Sequence, residues 1–313
     1  MQVEASGICG SDTMEWYRAK KAPLVLGHEV AGVVAAVGEG VTGFAPGDRI
    51  VTTHHVPCNE CRYCRTDRHS VCDTLRSTDF DPGGFSEFVR LPPANVQSGT
   101  FLLPDTVSFE EASFVEPLAC TVRGQRIAGV REGDTVAVLG SGISGILHVQ
   151  LARTLGAATV IATDVHPFRM EMARKLGADV VLDARGSVPE GIREANSGRP
   201  ADCVIVCTAA RPALDAAFQC VDRGGVILFF APLAPDETMD FPLWNTWRNG
   251  ISVVTSYSGP PHDMQVALDL IDSHSVDVSS MITHRLALNE IGEGFRLMDE
   301  PGDSLKVIVE PQR

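Results

Sequence analysis

Four cysteines are crowded into one short segment of the sequence, at Cys58, Cys61, Cys64 and Cys72. Four thiolates at this spacing suit a tetrahedral zinc ion whose positions are all filled, so the site would be structural and closed to a substrate. An iron–sulfur cluster also takes four thiolates, and a nucleic-acid-binding zinc ribbon has similar spacing. Neighbouring arginines favour the ribbon, but a net charge of −14 opposes it. We therefore predict a structural zinc lobe over residues 58–72.

A second group with chemical meaning is the segment Gly140-Ser141-Gly142-Ile143-Ser144-Gly145, which fits the pattern G-x-G-x-x-G. In this pattern the glycines allow a tight turn, a close approach to a pyrophosphate and close packing of a helix on a strand. The next predicted strand ends at Asp164, near the spacing of an acid that binds ribose hydroxyls and repels a 2′-phosphate. The dinucleotide-binding residues predicted here are Gly140, Gly142, Ile143, Gly145 and Asp164.

The pattern thus favours NAD over NADP. Arg169 follows Asp164 closely and adds an ambiguity, because it could stack near the adenosine, tolerate a phosphate or have no role.

The elements around this loop alternate between strand and helix. Thr135–Leu139 is a continuous apolar run typical of a buried parallel strand, and a helical stripe from Ile143 stops at Gly156. Pro167 opens a second helix after the strand at 159–163. Further apolar strands are predicted at 203–207 and 226–230. This alternation predicts a doubly wound α/β domain with a parallel sheet.

The rest of the chain has a different style. Residues 1–117 are rich in glycine, proline and short β-like stretches, and a similar style returns near residue 259, with a closing strand at 306–309. We therefore predict one β-rich domain, residues 1–120 and 259–313, that brackets an α/β domain at 121–258.

Composition excludes several classes of function. The 313 residues carry 40 acidic and 26 basic side chains, and this excess of negative charge disfavours binding to nucleic acid or to a membrane. No apolar run is long enough to span a bilayer, and no secretory leader is recognisable. The odd number and clustering of the nine cysteines favour a reducing compartment, so we expect a cytoplasmic protein.

Several further motifs occur in the order found in one known family. They are Cys9-Gly10-Ser11-Asp12, Gly27-His28-Glu29, Gly83-Gly84-Phe85-Ser86-Glu87-Phe88, Glu116-Pro117-Leu118 and Ile282-Thr283-His284-Arg285. With the cysteine lobe and the glycine loop, they make the chain resemble the zinc-dependent medium-chain dehydrogenase/reductase family, in its polyol and threonine dehydrogenase-like branch. The resemblance implies a GroES-like catalytic domain, a Rossmann domain, and a cleft between them that holds a second, open zinc.

The resemblance also implies roles for single residues. Cys9 and His28 match two ligands of the catalytic zinc, and the third position falls on Glu116, although Glu29 can enter the coordination shell in polyol enzymes. Adjacent strand residues point to opposite faces, so His28 and Glu29 can share one metal only where a strand ends or bends. Ser11 matches a proton-relay hydroxyl, but Met14 stands where relatives often carry a relay histidine.

The implied reaction is hydride transfer from an alcohol to a nicotinamide, with zinc as a Lewis acid. We expect an NAD-dependent dehydrogenase that acts on a secondary alcohol or polyol, a small-molecule substrate. A threonine-type amino-alcohol dehydrogenase and a non-catalytic zinc-stapled NAD-binding protein remain alternatives. Relatives commonly pair subunits through the strand at 251–256, so a homodimer or homotetramer is expected. His54 and His55 lie beside the zinc lobe at the end of a predicted strand and could line the cleft, but we expect them to be polar loop residues.

Overall fold

The computed structural model describes residues 1–300 and 302–313, with the backbone alone at Lys20 and Lys21. The chain divides into two compact units. Unit 1 comprises Met1–Cys120, Ser258–His274 and Val278–Arg313, and unit 2 comprises Thr121–Tyr257 and Ser275–Asp277.

The strands of the described chain are numbered in chain order. They are β1 Gln2–Gly7, β2 Glu29–Val33, β3 Arg49–Thr52, β4 Thr100–Leu102, β5 Thr135–Leu139, β6 Thr159–Asp164, β7 Val180–Asp183, β8 Ala201–Val206, β9 Val221–Phe229, β10 Ser252–Thr255, β11 Ile282–Ala287 and β12 Lys306–Glu310.

The α-helices are numbered in the same way. They are α1 Glu15–Lys21, α2 Asp73–Ser77, α3 Pro93–Ser98, α4 Phe109–Ala112, α5 Val115–Ala128, α6 Ile143–Thr154, α7 Pro167–Lys175, α8 Val188–Ala195, α9 Arg211–Cys220, α10 Leu243–Asn249, α11 Pro261–Asp272 and α12 Ile291–Asp299. Short 3-10 turns occur at Gly10–Thr13, Cys64–Thr66, His69–Val71, Ser279–Met281 and Leu288–Glu290.

Unit 1 is built on a mixed sheet with the strand order β11-β12-β1-β2-β3-β4. Strand β1 runs antiparallel to both β2 and β12, and its last residue, Gly7, lies opposite Glu29, the first residue of β2. The chain leaving β1 and the chain entering β2 therefore lie side by side at one end of the sheet. Beneath this end, Ile8, Phe85, Val307 and Val309 form a buried apolar cluster that fixes the strand ends.

Unit 2 is built on a parallel sheet with the strand order β10-β9-β8-β5-β6-β7. All five residues of β5 are buried, as expected for a strand covered by helices on both faces. The strand order reverses between β5 and β8, and in such sheets ligands bind beyond the carboxyl ends of the strands at that point. The α/β fold class predicted from the sequence is confirmed. No helix in the described ranges is long and apolar enough to cross a membrane.

Candidate active site

Three side chains that could hold a metal meet where β1 ends and β2 begins. The ligand atoms of Cys9, His28 and Glu29 all lie within 4.8 Å of one another. Because β2 starts at Glu29, His28 lies just outside the strand, and this position lets the two neighbouring side chains reach one point. A thiolate, an imidazole and a carboxylate are donors that zinc accepts, and three protein ligands leave a fourth position open. We call Cys9, His28 and Glu29 the metal triad.

Asp12 contacts two members of the metal triad, His28 and Cys9, and orients them. It is fully buried, its Oδ1 lies 3.4 Å from Nδ1 of His28, and its Oδ2 accepts a hydrogen bond from the backbone N–H of Cys9 at 3.1 Å. A carboxylate beside one ring nitrogen of a histidine leaves the other nitrogen for a metal and fixes the ring. Burial lowers the pKa of His28, but the charge of Asp12, its hydrogen bond to the ring and the neighbouring Cys9 together outweigh burial, so the pKa lies well above its usual value.

Glu29 is held on its other side by Lys306, which comes from β12 almost at the end of the chain. The Lys306 Nζ donates to Oε2 of Glu29, and it also donates to the carbonyl of Ile8 at 3.3 Å. Both side chains are buried, with exposed fractions of 0% and 1%. A Cβ on Gly7 would overlap the Glu29 carboxylate and the Lys306 ammonium, so the pair requires glycine at that position.

Glu116 lies on α5 and is not part of the metal triad. It is 6% exposed, and its Oε1 accepts a hydrogen bond from Sγ of Cys120, one helical turn further on, at 3.6 Å. Burial raises the pKa of Glu116 to about 7, with a smaller lowering by His28 and a smaller raising by Glu29. Of the two glutamates left open by the sequence, the structure therefore groups Glu29, rather than Glu116, with Cys9 and His28.

The remaining predicted residues of unit 1 lie near the metal triad in sequence or in space. Ser11 is half-buried in the Gly10–Thr13 turn that follows Cys9, and Met14 caps that turn. His54 and His55 do lie in a loop, but both are buried, and the ring of His54 packs 4.8 Å from that of His28. The loop is thus part of the interior beside the triad rather than a polar surface.

The four lobe cysteines also converge. All four Sγ atoms lie within 4.8 Å of one another, with separations of 3.5 Å for Cys61–Cys64, 3.6 Å for Cys58–Cys72 and 3.9 Å for Cys58–Cys64. Tetrahedral zinc with Zn–S bonds of about 2.3 Å places its sulfurs about 3.8 Å apart, which fits one ion better than a multi-iron cluster. Backbone N–H groups of Cys58 and Cys61 also donate to lobe sulfurs, and such bonds favour the thiolate form of a ligand.

In unit 2 the glycine loop joins β5 to α6 as the sequence predicts. A Cβ on Gly145 would overlap the carbonyl oxygen of Gly140, so the loop can close only with glycine there. Ile143 is the first residue of α6, and Gly142 precedes it as the N-cap. The first amide groups of a helix have no partner within the helix, and together with the helix dipole they favour a bound phosphate.

Asp164 ends β6 beside this loop. Its Oδ2 accepts a hydrogen bond from the N–H of Ser141, and its Oδ1 accepts from the N–H groups of Val165 and His166, each at 2.8 Å. These bonds fix the carboxylate and use three of its roughly four acceptor positions, which leaves one for a ribose hydroxyl. Arg169 lies close by, with Nη1 4.0 Å from the position of a Cβ on Gly142 and with Nε unpaired among the described residues.

Comparisons with known proteins agree with this arrangement. The sequence profile of zinc-binding dehydrogenases matches residues 144–273, and that of the alcohol dehydrogenase GroES-like domain matches residues 1–104. The sorbitol dehydrogenase of Gallus gallus is 30% identical over 322 residues, covering 99% of this chain and 88% of that protein.

Solved structures are similar over the same length. The alcohol dehydrogenase of Thermus sp. ATN1 has 29% identity and a TM-score of 0.87, and the alignment covers 99% of this chain and 91% of that one. A zinc-binding dehydrogenase of Sinorhizobium meliloti bound to NADP has 29% identity and a TM-score of 0.89, with the same coverage. The chain therefore belongs to the zinc-dependent medium-chain alcohol and polyol dehydrogenase family, and it is an oxidoreductase. The predicted family is confirmed, and the residues present fit the zinc and nicotinamide cofactors of that family.

Sequence reasoning left three residues of the site, Asp12, Cys120 and Lys306, without a role. Asp12 was visible as a carboxylate three positions after Cys9, and Cys120 lies one helical turn from Glu116. Lys306 gave a weak signal, a lysine that opens an apolar strand. For His54 the sequence favours a polar loop over the cleft, because nothing in its local sequence shows that its loop folds against His28.

Proposed function

We propose that this chain oxidises a secondary alcohol or a polyol to the ketone, with NAD as the hydride acceptor. The metal triad carries this proposal, because a structural zinc lobe and a dinucleotide loop by themselves need no second, three-ligand site. The sorbitol dehydrogenase relative supports a polyol or secondary alcohol as substrate.

The residues of unit 1 have distinct roles in this proposal. Zinc held by Cys9, His28 and Glu29 would supply Lewis acidity that favours loss of a proton from the substrate hydroxyl. Asp12 fixes the ring of His28, and Lys306 holds the Glu29 carboxylate beside Cys9 and His28. Ser11, in the turn that begins after Cys9, would accept the substrate proton and pass it to solvent.

The residues of unit 2 bind the nicotinamide cofactor, whose pyridinium ring accepts the hydride. The loop from Gly140 to Gly145 and the start of α6 would hold the pyrophosphate. Asp164 favours NAD because its fixed negative charge repels a 2′-phosphate. Arg169 and the NADP-bound relative favour NADP as the competing cofactor. We assign the preference to Asp164 because it lies at the end of β6, where the ribose hydroxyls bind in this fold.

The test is turnover of purified, zinc-loaded protein with NAD or NADP and a panel of secondary alcohols, polyols and threonine, followed as nicotinamide reduction at 340 nm. We expect turnover with NAD on one alcohol class and its loss in Cys9→Ser, and we expect Asp164→Ala to raise relative activity with NADP. No turnover of any alcohol by protein that holds zinc at both sites would refute the enzymatic proposal. A preference for NADP would refute only the choice of cofactor. A preference for threonine over every other alcohol would refute only the choice of substrate.

A further inference from the structure

Unit 2 has a cavity of about 280 Å³ that the proposed reaction does not use. Its lining comes from the last turns of α8 and α9, the first residues of β9, the residue before β10, and α10. The cavity therefore lies at the amino ends of β9 and β10. The strands of this sheet are parallel, and the glycine loop follows the carboxyl end of β5, so the cavity and the loop lie at opposite ends of the strands.

Two arginines give this cavity a positive charge. Arg193 donates two hydrogen bonds to backbone carbonyls of α8 and α9, each at 3.2 Å, which leaves about three of its five N–H groups for a ligand. The guanidinium of Arg223 has no hydrogen bond or ion pair with any residue that the structure describes. The one carboxylate in the lining, Asp222, already has a cation, because Nη1 of Arg199 lies 3.7 Å from its Oδ2. The charges of the two arginines are therefore not cancelled.

The buried part of the lining is apolar. Phe218, Val221 and Ile251 line the cavity, and all three belong to the buried core of unit 2. Guanidinium groups bind a carboxylate in a bidentate geometry, whereas apolar side chains favour a ligand that removes apolar surface from water. The two kinds of lining together suit a ligand with a carboxylate at one end and a small apolar body at the other. Inorganic phosphate would use the cations alone.

Helix α10 contributes polar groups to the cavity from the face opposite its exposed apolar side chains. At about 3.6 residues per turn, Asn245 and Asn249 lie on one face of the helix, and Leu243, Trp244 and Trp247 lie on the other. Nδ2 of Asn249 donates a hydrogen bond to Oδ1 of Asn245 at 2.6 Å. This bond fixes the Asn245 amide and leaves its nitrogen as a further donor for a carboxylate.

We infer that this cavity is a binding site for a small organic carboxylate, a compound with one carboxylate group and an apolar body of several carbon atoms. Arg193 and Arg223 bind its carboxylate, and the core side chains contact its body. The ligand is neither the substrate nor the cofactor of the proposed reaction, because the metal triad belongs to unit 1 and the glycine loop lies at the other end of the strands. A neutral analogue of the same shape loses charge-assisted hydrogen bonds, which are about twice as strong as neutral ones.

The test measures binding of benzoate, benzamide and inorganic phosphate to the zinc-loaded protein by isothermal titration calorimetry. Benzamide has the shape of benzoate without its charge. Wild type is compared with Arg193→Gln, Arg223→Gln and Arg174→Gln, the last an exposed arginine on α7 outside the lining. Arg223→Gln removes a side chain that has no partner in the described chain, so it remains informative if Arg193→Gln does not fold. Cys9→Ser shows whether any benzoate binds at the metal triad instead.

We expect benzoate to bind wild type at least about tenfold more tightly than benzamide or phosphate. Its affinity should fall about tenfold or more in Arg193→Gln and in Arg223→Gln, the loss of a hydrogen bond to a charged group. It should be unchanged in Arg174→Gln and Cys9→Ser. Equal affinity for benzoate and benzamide, wild-type affinity in Arg223→Gln, or loss of benzoate binding in Cys9→Ser would overturn the inference. Phosphate bound more tightly than benzoate, or no binding of benzoate to wild type, would also overturn it.

Discussion

The ion pair between Glu29 and Lys306 joins a metal-site carboxylate to a lysine 277 positions away in the chain. Two charges with exposed fractions of 1% and 0% have lost nearly all their hydration, and each depends on the other. The pair is also the reason why Gly7 cannot carry a side chain. It therefore links the stability of unit 1 to the geometry of the metal triad.

Replacing this lysine should destabilise the protein strongly. Lys306→Met leaves Glu29 buried and unpaired, and removing one partner of a buried pair costs about 3–5 kcal/mol in free energy of unfolding. Urea unfolding of the metal-free protein measures this loss, with the exposed Lys175→Met as the matched control. The double variant Glu29→Gln, Lys306→Met should recover part of the loss. A single variant as stable as the control would show that the pair contributes no stability.

A second residue-scale consequence concerns His148 in α6, which makes unit 2 sensitive to acid. Burial lowers the pKa of His148 to about 3, and its ring packs edge-on against Phe230 with a centroid separation of 4.6 Å. The usual pKa of histidine in an unfolded chain is about 6.5, so the unfolded state binds the proton first. The contribution of neutral His148 to the free energy of unfolding is therefore fully present above about pH 6.5. It is lost as the pH falls towards about 3, the pKa of His148 in the folded protein.

Between pH 7 and pH 5 the wild type should lose about 2 kcal/mol more free energy of unfolding than His148→Gln, which has no proton to bind. Urea titrations at the two pH values measure the difference. The exposed His262→Gln should behave as wild type. Equal pH dependence in wild type and His148→Gln would contradict the assignment.

At this scale the sequence predicted residues that belong to contiguous motifs and missed those that act across the sheet. Cys9 and His28 are marked by their neighbours, and the structure brings both into the metal triad. The choice between Glu29 and Glu116 depended on where β2 begins, which alternation of side chains alone does not fix. Lys306 reaches Glu29 because β12 lies beside β1, a consequence of topology that no local pattern carries.

At the scale of the elements, Gly142 and Gly145 in the loop between β5 and α6 have different roles. Gly145 permits the close approach to the Gly140 carbonyl, whereas a Cβ on Gly142 would meet only Arg169, at 4.0 Å. Gly145→Ala should therefore lower the free energy of unfolding by about 1–3 kcal/mol, the usual cost of overpacking, and weaken NADH binding as well. Gly142→Ala should leave the free energy of unfolding within about 0.5 kcal/mol of the wild-type value and should weaken only the binding of NADH.

Urea unfolding and NADH fluorescence titration separate the two effects. Equal stability of the two glycine variants would contradict the packing explanation of the loop.

The presence of a parallel sheet was predictable because its strands are continuous apolar runs. The first and last residues of each strand were less predictable. The sequence predicted a strand at 226–230, and β9 in fact runs over Val221–Phe229. Its first part, which includes Asp222, Arg223 and two glycines, gives no apolar signal. Val221 pairs with Ala201 of β8, and the register then shifts so that Val226 pairs with Cys203. The sheet, rather than local propensity, therefore extends the strand there.

For the whole molecule, two features of unit 2 bear on association, the edge of its sheet and the exposed apolar side chains of α10. Strand β10 pairs with β9 and is the last strand of that sheet in the described chain. Near it in sequence, α10 exposes Leu243, Trp244 and Trp247 to 68%, 72% and 69%. Open sheet edges and clustered exposed apolar side chains mark association surfaces.

We therefore predict a homodimer or homotetramer that uses β10 and α10. Sedimentation velocity should give at least twice the 33.5 kDa mass of one chain, and Trp247→Glu should shift the protein towards monomer. Val165→Glu, at another exposed apolar position of unit 2, is the matched control and should leave the mass unchanged. A monomeric wild type, or an unchanged mass in Trp247→Glu, would contradict this surface as the interface.

We expect the chain to hold a catalytic zinc on Cys9, His28 and Glu29 in addition to the zinc of the cysteine lobe. Zinc content per chain, measured on purified protein by atomic emission after removal of loosely bound metal, tests it most directly. We predict two zinc ions in wild type, one in Cys9→Ser and one in Cys64→Ser. One zinc in wild type, or two in Cys9→Ser, would contradict the account.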